Sequence, residues 1–147
     1  MGARITFESD QAKVEVDAPL QLVRLIWKGN ATGEAYRAPC FAVLKAVEEL
    51  GVKHFLSDTR LMGPILFADR SWSEKEVIPK LIAAGLKRIA IVSSTDGLNV
   101  IAVDNMVNTI PMGTAIVAFF ESPSAAEKWL FTKDTTDASV PERRKGI

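Results

Sequence analysis

The sequence predicts an α/β domain built on a mixed sheet, with antiparallel strands at the N-terminus, αβ units after them, and helices flanking the sheet. Three observations predict it. Apolar residues alternate in the first part of the chain, as strands require. After Gly29-Asn30 they recur at steps of three and four, as a helix requires. From there β-rich runs alternate with amphipathic stretches, the rhythm of parallel strands joined by crossover helices.

Segments 4–8, 12–17 and 20–27 read as strands, separated by Ser9-Asp10 and by Ala18-Pro19, connectors short enough for a meander. In the second, Ala12, Val14 and Val16 alternate with Lys13, Glu15 and Asp17. In the third, Leu22, Arg24 and Ile26 face one way and Val23, Leu25 and Trp27 the other, which places it nearer the middle of the sheet. Tyr36, Cys40, Val43, Leu44, Val47 and Leu50 form the apolar stripe of a helix that ends at Gly51. Pro39 inside it predicts either a start near Ala38 or a kinked first turn. Segment 52–57 is a strand, and 61–70 a loop containing Gly63-Pro64. Ser71-x-x-Glu74 and Ser73-x-x-Glu76 are overlapping capping boxes, predicted to open a helix that runs to Ala84 and closes at Gly85. A strand at 88–93, a helix at 97–109 and a strand at 114–120 follow. Ser122 and Pro123 then start a last helix reaching about Phe131. Segment 133–147 carries Thr, Ser, Pro and seven charges, so it is expected to be a partly disordered polar tail beyond a single domain over 1–132.

Composition narrows the partners. The 147 residues hold 18 Lys and Arg against 18 Asp and Glu, a zero balance that argues against a nucleic-acid-binding face. The lone Cys40 excludes an internal disulfide and a cysteine-based zinc site, and the lone His54 gives no metal set, so neither metal nor cofactor is expected. Charges at Arg4, Glu8 and Asp10 do not suit a secretory signal. The longest uncharged stretch, 105–120, is broken by Pro111 and Gly113 and is too short for a transmembrane segment. The expected location is the cytoplasm.

Several residues are candidates for a site. Asp58 and Arg60 follow a parallel strand, at the sheet edge where open α/β proteins bind ligands. The alternative is that Asp58 caps the next loop and pairs with Arg60 or Arg70. Asp69 and Ser71 join them if the 61–70 loop folds back. Ser93 and Ser94 leave another strand for a helix start, a place for an anion, although Asp96 would repel one and reads better as an N-cap. His54 opens its strand, at the opposite end from Ser71 and Ser93, so a Ser-His-Asp assembly is not expected. Cys40 reads as a small buried hydrophobe, and Trp72 and Trp129 as core anchors. The helix at 97–109 is apolar around most of its circumference, through Leu98, Val100, Ile101, Ala102, Val103, Met106 and Val107. Its excess predicts a homodimer interface through Leu98, Val103, Met106 and Val107, with Val103 facing outward, or contact with a small apolar ligand; the alternative is a helix wedged between the sheet and a neighbouring helix.

Five stretches carry a resemblance: Thr32-Gly-Glu-Ala-Tyr-Arg37, Ser57-Asp-Thr-Arg60, Ser71-Trp-Ser-Glu-Lys-Glu-Val-Ile-Pro-Lys-Leu81, Lys87-Arg-Ile-Ala-Ile-Val92, and Phe120-Glu-Ser-Pro-Ser-Ala-Ala-Glu-Lys-Trp-Leu130. With the order of elements, they make residues 12–130 resemble the SpoIIAA-like (STAS/CRAL-TRIO-like) family of small bacterial proteins. The resemblance implies a SpoIIAA-like fold. It also implies binding or regulation: members of the wider STAS group partner kinases, anti-sigma factors and transporters, and the CRAL-TRIO branch carries lipids. The Asp-Ser-Ser-Gly phosphorylation signature of the anti-sigma-antagonist branch is missing here, where Ser71 and Ser73 flank Trp72 near the same place. The first expectation is therefore a non-enzymatic module acting on an unknown protein partner. The second is a carrier or sensor of a small apolar molecule or lipid, and the third an enzyme using Asp58 and its neighbours.

Overall fold

The computed structural model describes residues 2–132; the expected polar tail at 133–147 lies outside them. Six strands form one sheet in chain order: β1 (Arg4–Glu8), β2 (Ala12–Asp17), β3 (Leu22–Trp27), β4 (His54–Asp58), β5 (Arg88–Val92) and β6 (Ile116–Phe120). The pairs β1–β2 and β2–β3 are antiparallel, while β3–β4, β4–β5 and β5–β6 are parallel, as the change of period predicts. Helices α1 (Glu34–Leu50), α2 (Phe67–Trp72), α3 (Ile78–Ala83) and α4 (Gly97–Val107) lie within the crossovers, and α5 (Pro123–Leu130) follows the last strand.

Because parallel strands are added one after another in chain order, crossovers of one hand place every connecting helix on the same face. Apolar residues of α1, α3 and α4 accordingly pack with Val23, Leu25, Ile89, Ile91 and Val117 in one core. The opposite face is left to α5, whose Ala126, Trp129 and Leu130 meet Leu22, Leu56, Ala90, Val92, Ala118 and Phe120. Next to α5, the strands β2 and β3 keep a charged face, where Arg24 joins Glu15 and Glu127.

Two helix starts differ from the sequence expectation. Helix α1 begins at Glu34, which removes the start near Ala38 from the two readings of Pro39, and the proline lies inside the helix. Its first turn is held from outside, because the buried Asp69 carboxylate accepts hydrogen bonds from Gly33 N–H (2.9 Å) and from Arg37 Nε (3.3 Å). Helix α2 begins at Phe67 rather than at Ser71, so neither capping box caps anything. The chain instead runs from α2 through a π-helical turn, Ser73–Val77, into α3, with Ile78 N–H donating to Ser73 O. Pro79 explains the wide turn: it has no N–H to give Lys75 O and its ring would press on that carbonyl.

Candidate functional site

The three-helix face is not filled. Beneath α4 lies a cavity of about 120 Å³ walled by β3, β4 and β5, by α1, by the π-turn with α3, and by α4. Leu25, Phe55, Ile89 and Ile91 form its floor on the sheet, and Val77, Leu81, Val103 and Val107 its sides. Phe55 and Ser57 are only half-buried, although they project from a strand at the centre of the sheet. What they face is the cavity. Ile78 of α3 and Met106 of α4 are also partly exposed, and they mark where the cavity reaches the surface.

The cavity exists because α4 stands off from the sheet, making few close backbone approaches to any other element. Its start is tied down. Asp96 caps it by accepting from Asn99 N–H at 3.0 Å, the N-cap role read from the sequence. The buried Asn99 donates through Nδ2 to Gly63 O at 2.9 Å, and Ser94 Oγ donates to Met62 O at 2.7 Å. Gly63 N–H in turn donates to Asn30 Oδ1 at 2.7 Å, and the Asn30 carboxamide fills the space a Cβ at position 63 would need, so a larger residue there would displace that side chain. Through these bonds the loop after β4 folds over the strand ends and closes one end of the cavity with Met62 and Ile65.

Ser57 and Thr59 bring hydroxyls to the sheet side of the wall, and a paired polar group stands on the helix side. Tyr36 stacks on Trp27, with ring centroids 5.4 Å apart, and its hydroxyl lies 2.8 Å from Ser73 Oγ at the first residue of the π-turn. Met106 Sδ is 3.8 Å from the same hydroxyl, and Cys40 lies one helical turn further along α1. Burial pushes the Tyr36 phenol well above its usual range, with smaller contributions from Cys40 and from the Asp69 charge. Burial likewise pushes the Cys40 thiol up to about 12, so it stays protonated, the inert small hydrophobe that the sequence suggests. Among the described residues, no Asp, Glu, Lys, Arg or His lines the cavity.

The residues proposed from sequence divide between this cavity and elsewhere. Asp58 is buried and paired side-on with Arg60, Nε to Oδ1 at 2.9 Å and Nη2 to Oδ2 at 2.8 Å, the pairing that was the alternative reading. It points from β4 toward the α5 face, while its neighbour Thr59 lines the cavity and donates from Oγ1 to Val92 O at 2.7 Å. Asp69 is committed to α1 rather than to Asp58, and Ser71 is half-buried on α2, so the expected cluster of Asp58, Asp69 and Ser71 does not form. Trp72 is a packing residue: its ring meets Tyr36 and Phe41 edge-on, with the Arg37 guanidinium over it. Ser93 donates its N–H to Phe120 O, and Ser94 is a loop tie.

On α4 the expectation for Val103 is corrected. Val103, Met106 and Val107 line the cavity, and of the four proposed interface residues only Leu98 is exposed. Sequence reasoning missed Tyr36 with Ser73 as a polar pair, and Arg88, whose buried guanidinium donates to Trp129 O (2.9 Å) and Leu130 O (3.1 Å) at the end of α5. A charged residue opening an otherwise apolar strand, Arg88-Ile-Ala-Ile-Val92, was the signal available for the second.

Compared with protein-family models and with curated proteins, the sequence finds no match. Among solved structures, the chain is similar to an uncharacterized DUF3478-family protein with a SpoIIAA-like fold from Shewanella loihica PV-4. The two share 20% sequence identity with a TM-score of 0.52, over 88% of this chain and 94% of the other. The fold is SpoIIAA-like. Within that SpoIIAA-like fold, the cavity sits on the crossover-helix face, against the parallel half of the sheet. No helix among the described residues is long and apolar enough to cross a membrane.

Proposed function

We propose that this protein binds a small apolar molecule in the cavity beneath α4 and acts as its carrier or sensor, by binding rather than by catalysis. The observation that carries the reading is the unfilled space itself. Interiors pack to crystal density, and a void of about 120 Å³ against central strands forgoes contacts that its walls would otherwise make. A cavity of roughly 150 Å³ with aliphatic and aromatic walls stays dry and takes up benzene, so the space suits a ligand of one aromatic ring or a short aliphatic chain. The carboxylates considered for chemistry, Asp58 and Asp69, are engaged in ion pairs and do not line it. Native mass spectrometry of the protein purified from cells tests the reading, with a stoichiometric non-covalent adduct expected. Val103→Phe, which fills the cavity from α4, should abolish the adduct while leaving the melting temperature unchanged or raised. An adduct that survives this substitution sits elsewhere, and absence of both an adduct and toluene uptake overturns the proposal.

A second reading, a module that binds a protein partner, is favoured by the outer side of α4, where Leu98 is 65% and Ile101 59% exposed one turn apart. Light scattering separates the two. A monomer at high micromolar concentration whose apparent mass is unchanged by Ile101→Glu removes self-association from that reading.

A further inference from the structure

We propose that the ligand of this cavity is a neutral molecule with one hydroxyl or carbonyl oxygen, received by the paired hydroxyls of Tyr36 and Ser73, and that the site rejects carboxylates and ammonium ions. The inference rests on the cavity reading above and adds the chemistry of the ligand's head.

The first argument counts protons. Two hydroxyls 2.8 Å apart share one hydrogen bond but own two protons. If Ser73 donates to Tyr36, the phenol proton is left with sulfur, either Met106 Sδ at 3.8 Å or the Cys40 thiol, weak acceptors that a ligand oxygen would displace. If Tyr36 donates to Ser73, the serine proton is the one left over. Both residues line the cavity, and both are buried. In either arrangement one strong donor lacks an oxygen acceptor, and burial makes an unmet donor costly. An alcohol, phenol or ketone oxygen placed beside the pair satisfies it, and an alcohol or phenol can also return its own proton to a hydroxyl lone pair.

The second argument is electrostatic. A buried ion needs a partner of opposite sign, and among the described residues no charged side chain lines the cavity. The nearest carboxylate behind the wall, Asp69, is already bound by Gly33 N–H and Arg37. The surroundings hold the Tyr36 phenol and the Cys40 thiol in their neutral forms, and they would oppose a ligand anion for the same reason. The π-turn makes the recognition possible. It lets Ser73 face Tyr36 while Val77 and Ile78, a few residues on, still face the cavity.

Four probes sharing one benzene ring and one further carbon test this: toluene, benzyl alcohol, benzoate and benzylamine, each titrated into the full chain and followed by protein NMR shifts. Benzyl alcohol should bind about tenfold more tightly than toluene, the worth of one good buried hydrogen bond, and both ions more weakly than toluene. Tyr36→Phe, which keeps the ring stacked on Trp27, should remove that tenfold preference without changing toluene affinity by more than about twofold. Ser73→Ala should act in the same way, an independent check should either variant fold poorly. If toluene binds but benzyl alcohol gains nothing over it, or if benzoate or benzylamine binds as tightly as the alcohol, the headgroup proposal is wrong and the apolar cavity reading stands. If neither toluene nor benzyl alcohol binds, both fall together.

Discussion

The two faces of the sheet are made by alternate residues of the same strands, yet one is closed and the other hollow. On the α5 face, Ala90 and Ala118 are fully buried opposite the fully buried Ala126, and three small side chains let the helix settle onto the strands. Arg88 then reaches across to the last carbonyls of α5, where a cation is favoured by the helix dipole, and stacks on Trp129. The crossover face has more helices, but its best-placed cover, α4, is fixed mainly at its N-terminal end through Asn99 and Ser94. The comparison teaches that the number of covering elements does not decide how full a face is. Seating does: small residues at the contact close one face, while beneath α4 the strands present the larger Ile89 and Ile91, and the other face can receive a ligand.

The largest expected effect that can break this contrast is Trp129→Ala. On the closed face it should cost about 3–5 kcal/mol in chemical denaturation, the usual range for an aromatic lost from a tight core. Met106→Ala beside the cavity should stay below the roughly 2 kcal/mol at which truncations of large aliphatic side chains usually begin. Equal losses would mean that the two faces are packed alike. Next in size is Asp69→Ala, which strands the Gly33 N–H and frees Arg37. Hydrogen bonds to a charged group set its cost at about 2–3 kcal/mol, and amide exchange should rise first at the start of α1. Exchange that rises uniformly would deny Asp69 its local role.

The smallest effect concerns His54, at the start of β4 and edge-on to Phe131. Burial lowers its pKa from the ordinary 6.5, a backbone bond with Leu20 works the other way, and the charge of Arg88 lowers it further. The folded protein therefore holds fewer protons than the unfolded chain just below pH 6.5, so the stability gained from a neutral His54 is whole above that pH and lost as pH falls through the folded pKa. Between about pH 7.5 and pH 5 the wild type should lose slightly more stability than His54→Gln. Identical slopes would show that His54 titrates as it does in the unfolded chain.

How legible all this was in the sequence follows from the range of each signal. The two-residue and 3.6-residue periods are local, and they gave the meander, the parallel half and the sidedness of β3, with Leu22 against α5 and Leu25 on the cavity side. The start of α2 was not legible, because Ser71 and Ser73 form sound capping boxes while the real first turn has no side-chain cap. At the site, the stripe holding Tyr36 and Cys40 was visible, but the polar partner of Tyr36 lies 37 residues away on another element. The cavity depends on how far α4 stands from the sheet, a distance that no local pattern encodes. The broad apolar surface of α4 was plain in the sequence; which part of it faced inward was decided by the tether at Asn99.

The π-turn has a consequence in the language of insertions. It holds one residue more than the α-helix would need over the same rise, so everything downstream is rotated by about 100°, one residue's share of a turn. Deleting an exposed residue there, Lys75 or Glu76, would return the segment to α-helical phase and swing α3 back by that angle. Leu81 would leave the core or Ser73 would leave Tyr36, and Pro79 would confront the carbonyl of Glu74, then four residues before it. The length of this helix is thus fixed to the residue, although none of the side chains at its most exposed positions touches the cavity.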